Sequence, residues 1–193
     1  MAPSELEMSA ATSAKLGSSP AKSLISQRHI AHALLLLVLV LNCAIRFHLR
    51  NIPLERDEGE YAYAGQLMLQ GIPPYKLAYN MKLPGTYAAY AVILALFGQT
   101  PSGIHLGVLI VNSVTVFLLF LLALRLATLT AAVVAGASYA LLSISPSVLG
   151  LYGHATHFVV LMAVAGLVRC SMHSTKIARG YFLEVECSWA SDL

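Results

Sequence analysis

Ile30-Ala-His-Ala-Leu-Leu-Leu-Leu-Val-Leu-Val-Leu-Asn-Cys-Ala-Ile-Arg-Phe47 is a run of eighteen residues in which only His32, Asn42 and Arg46 interrupt an apolar sequence. A helix rises about 1.5 Å per residue, so about 20 residues cross the hydrocarbon of a bilayer. The run therefore reads as a first membrane span, residues 30–48. The stretch before it, 1–29, is rich in Ser and Ala and carries Lys15, Lys22 and Arg28. It reads as a disordered cytoplasmic tail. No small-x-small cleavage site follows the span, and Leu41-Asn42-Cys43 lacks the small residue that a lipoprotein site needs before its cysteine. An uncleaved signal anchor is expected.

The rest of the composition agrees. Hydrophobic residues make up 58% of the 193-residue chain and charged ones 11%, against about a quarter charged in an ordinary soluble domain. The mean hydropathy is +0.72. The net charge of +3 is spread without a basic stripe, which gives nucleic-acid binding no support. Cys43, Cys170 and Cys187 show neither metal spacing nor a disulfide pattern.

Outward from the first span, the apolar pattern predicts further spans at about 104–124, 129–149 and 157–167. The polar segment 49–83 separates them from the first. Within it Asp57 to Leu69 reads as a helix, with Asp57 as cap, Glu60 as its capping-box partner, and Gly71 and Pro73-Pro74 as the stop. Pro84 to Phe97, at fourteen residues, has the length of an interfacial or re-entrant helix. If it does not cross, Arg125 and the group Arg169, Lys176 and Arg179 fall on the cytoplasmic side with the basic tail, as the positive-inside rule asks. Arg46, Arg50 and Arg56 fall on the other side, next to acids that can pair with them. The expected fold is all-α: a polytopic membrane protein of about four transmembrane helices, plus interfacial helices in a large first outer loop. On that topology the segment after span one and the turn at 153–157 lie on the same outer face.

That segment holds the chain's one dense cluster of acids. Glu55, Asp57, Glu58 and Glu60 are four of its nine carboxylates, and the next is Glu184. A carboxylate within hydrogen-bond reach of an acceptor hydroxyl can take its proton as the oxygen attacks. Two neighbouring carboxylates can instead hold a divalent cation, and an acid at a helix start can simply be a cap. Lys82-Leu-Pro-Gly85 places a cation just before a helix start, where free backbone N–H groups also favour a phosphate. A lysine snorkelling to the interface is the plain alternative. Tyr61, Tyr63, Tyr75, Tyr79, Tyr87 and Tyr90 fit interface anchors, or sugar stacking for one or two of them. His154 and His157, three apart, would share a helix face and could join Asp57 or Glu58 at a metal, contact a phosphate, or form the polar end of a span.

The order Asp57-Glu-Gly-Glu-Tyr-Ala-Tyr-Ala-Gly65, Leu69-Gln-Gly-Ile-Pro-Pro-Tyr75, Lys82-Leu-Pro-Gly85 and Leu96-Phe-Gly98 resembles the first outer loop of GT-C membrane glycosyltransferases. The resemblance is nearest to their bacterial protein-mannosyltransferase-like and aminoarabinose-transferase-like branch. Gly153-His-Ala-Thr-His-Phe158 resembles that family's second outer loop, although an acid is common there and this chain offers His154 and His157. The likeness covers about residues 30–168.

It implies an inverting transfer of a sugar from a polyprenyl-phosphate donor to an acceptor glycan, lipid or protein at the outer face of a bacterial inner (plasma) membrane, with the N-terminus cytoplasmic. It maps the catalytic base or acceptor-positioning carboxylate to Asp57 with Glu58 beside it, and the donor-phosphate contact to Lys82. Glu60, Tyr61, His154 and His157 are left as possible substrate or metal contacts. A divalent cation is the one cofactor it allows. The polar stretch 169–193 lies outside the likeness. The expectation is therefore an N-terminal part of a longer enzyme, with a non-catalytic remnant or a partner-dependent subunit of the same ancestry as the alternative.

Overall fold

The computed structural model describes residues 20–79 and 81–191, with side chains for 29–79, 81–145 and 147–173. Among them the chain is all-helical: α1 Pro20–His48, α2 Arg56–Leu69, α3 Pro84–Phe97, α4 Pro101–Leu126, α5 Leu129–Leu142 and α6 Ala155–Ser191, with a 3-10 turn at Pro146–Val148. Three stretches are long and apolar enough to cross a membrane, His29–His48, Pro101–Leu126 and Ala155–His173. They make the chain an integral membrane protein. Residues 1–19 of the expected tail lie outside the described part. From Pro20 onward the tail is helical and continuous with the first span.

Local sequence explains where the helices start and stop. Thr100 and Thr128 cap α4 and α5, their hydroxyls accepting from the N–H groups of Gly103 and Ala131. Pro84 occupies the first turn of α3, where its missing N–H costs nothing. The α2 helix ends on Gly71, whose φ of 78° is the left-handed conformation glycine tolerates. The bonds Ile72 N–H to Leu67 O and Gly71 N–H to Met68 O close that end.

Two sequence expectations change here. The cap of α2 is Glu55, not Asp57: its carboxylate accepts the Asp57 N–H at 2.8 Å, and Glu58, not Glu60, returns the bond by accepting the Glu55 N–H at 3.1 Å. The helix simply starts two residues earlier, because Glu55 and Glu58 satisfy the same spacing rule as Asp57 and Glu60. The expected span 129–149 is also not one helix. It stops at Leu142, because Pro146 disfavours helical backbone at Ser145 and removes an N–H donor.

Helices α1, α4, α5 and α6 alternate in direction, while α2 and α3 run the same way, Tyr61 meeting Tyr87 and Gln66 meeting Gln99. The end of α1 meets the end of α5 and the turn after it, where Arg46 donates to Ser143 O and Gly150 O, both at 2.7 Å. The start of α4 joins the same end, His105 Nδ1 lying 2.8 Å from Arg50 O. At the far end the rings of His32 and Phe120 meet edge-on, and Leu35 packs with Phe120 and Ala132. One stripe of α4, Ile104, Val108, Asn112, Val116 and Phe120, is buried along its whole length at helical i, i+4 spacing. Its upper half packs with Tyr61, Tyr87 and Tyr90 of α2 and α3, and its lower half with α1 and α5. Asn112 sits between the two halves and donates to Asn42 Oδ1 at 3.1 Å, while Asn42 donates to Ala140 O at 2.8 Å. Leu34, Leu37, Leu41 and Ile45 on α1 remain exposed, as a lipid-facing stripe would.

Candidate functional site

The site lies where α2 begins and α6 begins, and it is built around Glu58. Its carboxylate is fully buried. Oε1 accepts the backbone N–H of Gly153, and Oε2 accepts the N–H of Glu55. The His105 Nε2 atom stands 3.4 Å from the same Oε2. Since His105 Nδ1 faces a carbonyl, a bond on each side of the ring requires a proton shared between His105 and Glu58. Gly153 is held on its other face by Tyr90, whose hydroxyl donates to Gly153 O at 2.6 Å. The acidic segment and the 153–157 turn, expected on one face, are thus in direct contact.

Glu58 is fully engaged within the protein. Asp57, one residue earlier, is partly exposed, as are Glu55 and Glu60. Its side chain is 28% exposed, with Arg56 Nη2 at 3.5 Å and His154 Nδ1 at 4.0 Å. Glu55, Asp57 and His154 each offer a ligand atom, all within 4.8 Å of one another. Two carboxylates and an imidazole form a donor set that suits a divalent transition metal. His157 does not join this group. It lies in the first turn of α6 and is buried, while His154 precedes the helix and points to Asp57, so the shared helix face expected from their spacing does not form. Its place is in the wall of a cavity of about 290 Å³ that Tyr139, Ser143 and Gly150 also line. Glu60 is half-buried and stays out of the cluster.

The tyrosines divide into two classes. Tyr61, Tyr87 and Tyr90 are core residues, exposed by 1% or less, rather than interface anchors or sugar platforms. The ring of Tyr61 stands 6.3 Å from Tyr87 and 5.6 Å from Tyr90, and Tyr90 stands 5.7 Å from Phe158. Burial first, and then the carboxylates of Asp57 and Glu60, push the Tyr61 phenol up to about 12. Tyr63, Tyr75 and Tyr79 are the exposed ones.

Lys82 is exposed, and among the described residues the ion-pair partners of Asp57 are Arg56 and His154, not Lys82. The loop that carries it is tied to the core through aromatic rings. Tyr75 donates its hydroxyl to Lys82 O at 2.7 Å, and its ring meets Tyr87 edge-on at 5.8 Å.

Of the residues around this site, the sequence reading left His105 unremarked and gave Tyr90 and Arg46 other roles. Arg46 was expected to be a topological charge, paired with an acid if with anything. It is instead a buried clamp on two carbonyls, Ser143 O just past the end of α5 and Gly150 O in the turn before α6. A charge inside an eighteen-residue apolar run was the available signal, since such residues are costly in a membrane and find partners in the bundle interior.

No protein-family model, no curated protein and no solved structure matches the chain.

Proposed function

We propose that this chain is the N-terminal part of a GT-C-type glycosyltransferase that moves a sugar from a polyprenyl-phosphate donor to an acceptor at the outer face of a bacterial plasma membrane. On this reading α1, α4, the segment 129–149 that begins with α5, and α6 make four crossings, α2 and α3 lie in the first outer loop, and the N-terminus is cytoplasmic. The observation that carries it is the contact between the two segments that resemble the family's first and second outer loops: Glu58 with Gly153, and Asp57 with His154. A reactive carboxylate needs a fixed position and an open face. Glu58 supplies the first by holding the turn, and Asp57 has the second.

The chemistry assigned to these residues is brief. The acceptor hydroxyl oxygen attacks the anomeric carbon, its proton passes to Asp57, and the bond from that carbon to the phosphate oxygen breaks. The polyprenyl phosphate leaves with the electron pair, and a cation such as Lys82 lowers the cost of the charge that develops on it. Glu58 acts as a positioning residue. A cation held by Glu55, Asp57 and His154 would orient substrate oxygens and would occupy Asp57 as a ligand.

The test is transfer of labelled sugar from polyprenyl phosphate in membranes that carry the chain, alone and with the downstream coding sequence restored. Asp57→Asn should remove transfer, a loss of about 10²–10⁴ for a general base, while leaving membrane insertion intact. Transfer that survives this change rejects Asp57 as base. Transfer that a chelator abolishes and manganese restores assigns Asp57 to a metal instead. No transfer from inserted protein, even with the downstream sequence, favours the non-catalytic reading.

A further inference from the structure

On the flank of the bundle, away from Asp57 and His154, an apolar groove of about 480 Å³ runs between α1 and α4. Cys43, Ala44 and Phe47 form one wall, Leu106 and Ile110 the other, and Phe97 at the end of α3 closes it. Its surface offers no polar group, and Phe47, Phe97 and Ile110 remain exposed within it. These walls belong to helices that cross a membrane, so the groove opens where acyl chains are the surrounding solvent.

A cation stands over this groove. The Arg50 guanidinium lies 4.0 Å above the ring of Phe47, and one of its Nη atoms donates to Phe47 O at 2.9 Å. Arginine carries five N–H donors, and one of them is enough for that bond. Among the described residues no carboxylate is within ion-pair distance of Arg50; the ion pairs there involve Arg56, His105 and His154. An apolar slot for a chain, with an unneutralised guanidinium at its aromatic wall, matches a molecule with a fatty tail and an anionic head.

We propose that this groove binds a glycerophospholipid with an anionic headgroup: one acyl chain lies along Cys43, Phe47 and Ile110, and the phosphate pairs with Arg50. The occupant is a bilayer phospholipid, not the sugar donor, and the proposal is independent of any transfer reaction. Arginine is well suited to the headgroup because its planar fork meets two phosphate oxygens at once.

The experiment places a tryptophan reporter in the groove by Ile110→Trp, in a Trp189→Phe background, and reconstitutes the chain in vesicles that contain dibrominated phospholipid. Dibrominated phosphatidylglycerol should quench the reporter with about fivefold higher relative affinity than dibrominated phosphatidylcholine, the contribution of one basic residue beside an anionic lipid. Arg50→Gln should bring the two lipids to equal quenching. A second reporter, Leu37→Trp on the lipid-facing stripe of α1, should show no preference.

Equal quenching of the groove reporter by both lipids overturns the proposal. So does a preference that survives Arg50→Gln, or one that the Leu37→Trp reporter shares. Recovery of Ile110→Trp fluorescence by polyprenyl phosphate at amounts that leave phosphatidylglycerol in large excess assigns the groove to a prenyl chain and also overturns it. Because the reporter itself could disturb packing, lipid retained by the unmodified chain is weighed by native mass spectrometry. Phosphatidylglycerol should remain bound at detergent concentrations that strip phosphatidylcholine, and the Arg50→Gln chain should lose it with the rest.

Discussion

Glu58 and Gly153 lie 95 residues apart in the chain, and a single hydrogen bond from the Gly153 N–H to the buried carboxylate joins them. The donor is backbone, so the bond reads no side chain at position 153. Glycine is required there by space: a Cβ would meet Val108 Cγ2 at 2.8 Å and press on the Tyr90 hydroxyl. The two halves of the candidate site are therefore held by the fold of α2, α4 and the 153–157 turn together, and a change at any of the three should disturb the other two.

Replacing Glu58 should show this directly. Glu58→Ala strands the N–H groups of Gly153 and Glu55 and leaves His105 Nε2 without its partner. Breaking a buried charged group of this kind costs about 3–5 kcal/mol. Glu58→Gln keeps one acceptor oxygen but turns an NH₂ toward a donor, and should cost about 1–3 kcal/mol. Unfolding in mixed detergent–SDS titrations checks both values. An Ala variant as stable as the parent would show that the carboxylate is solvated, contrary to its complete burial.

Arg46 poses the same question at the break after α5. Ser143 O lies just past the end of α5 and Gly150 O in the turn before α6, so neither has a helical donor. Arg46→Met should remove the charged donor from both carbonyls and cost up to about 2–6 kcal/mol, at about 1–3 for each buried group left unpaired. Both bonds leave one nitrogen, Arg46 Nη2, and a lysine ammonium has donors enough for two, so Arg46→Lys should recover part of this, limited by the different reach of its side chain. The unfolding titration separates the three chains. Full stability in Arg46→Met would mean that the carbonyls find other partners.

How far the sequence foretold this arrangement depended on the kind of signal. Helix class, the first span and the stop at Gly71 followed from composition, run length and one glycine, all of which act locally. A count of four crossings put the acidic segment and the 153–157 turn on one face; the structure shows the two in contact and three stretches long and apolar enough to cross. The cap of α2 was missed by two residues because four acids in six positions offer two equivalent capping boxes, and tertiary contacts choose between them: Glu58 has Gly153 and His105 to meet. The burial of Tyr61, Tyr87 and Tyr90 was illegible for a similar reason. A tyrosine at an interface and a tyrosine wedged between helices have the same sequence signature, and only the packing of α2 on α3 decides.

That packing rests on Gly65. A Cβ there would lie 2.9 Å from the Ala91 nitrogen and 3.1 Å from Tyr90 Cβ, so backbone and a core ring would both have to move. Gly65→Ala should cost about 1–3 kcal/mol as an overpacked core, and Gly65→Val more. Because α3 carries Tyr90 and its bond to Gly153, both variants should also make the 153–157 turn easier to cleave with a protease. Ala and Val variants with unchanged protection would detach the turn from the α2–α3 contact.

Tyr61 allows the packing to be read by titration. A tyrosine in an unfolded chain loses its proton near about 10, whereas burial and the carboxylates of Asp57 and Glu60 push Tyr61 up to about 12. The folded state therefore holds this proton more tightly. The stability linked to it is complete below about pH 10 and is lost as the pH rises through about 12. Across that window the parent chain should lose stability more steeply than Tyr61→Phe, which has no proton to release. Phenolate absorbance gives the independent check: the substitution should remove one group from the most alkaline part of the curve and leave the part near pH 10 unchanged. A group removed from near pH 10 would mean that water reaches the ring, and that the wedge of Tyr61 between Tyr87 and Tyr90 does not hold α2 in place.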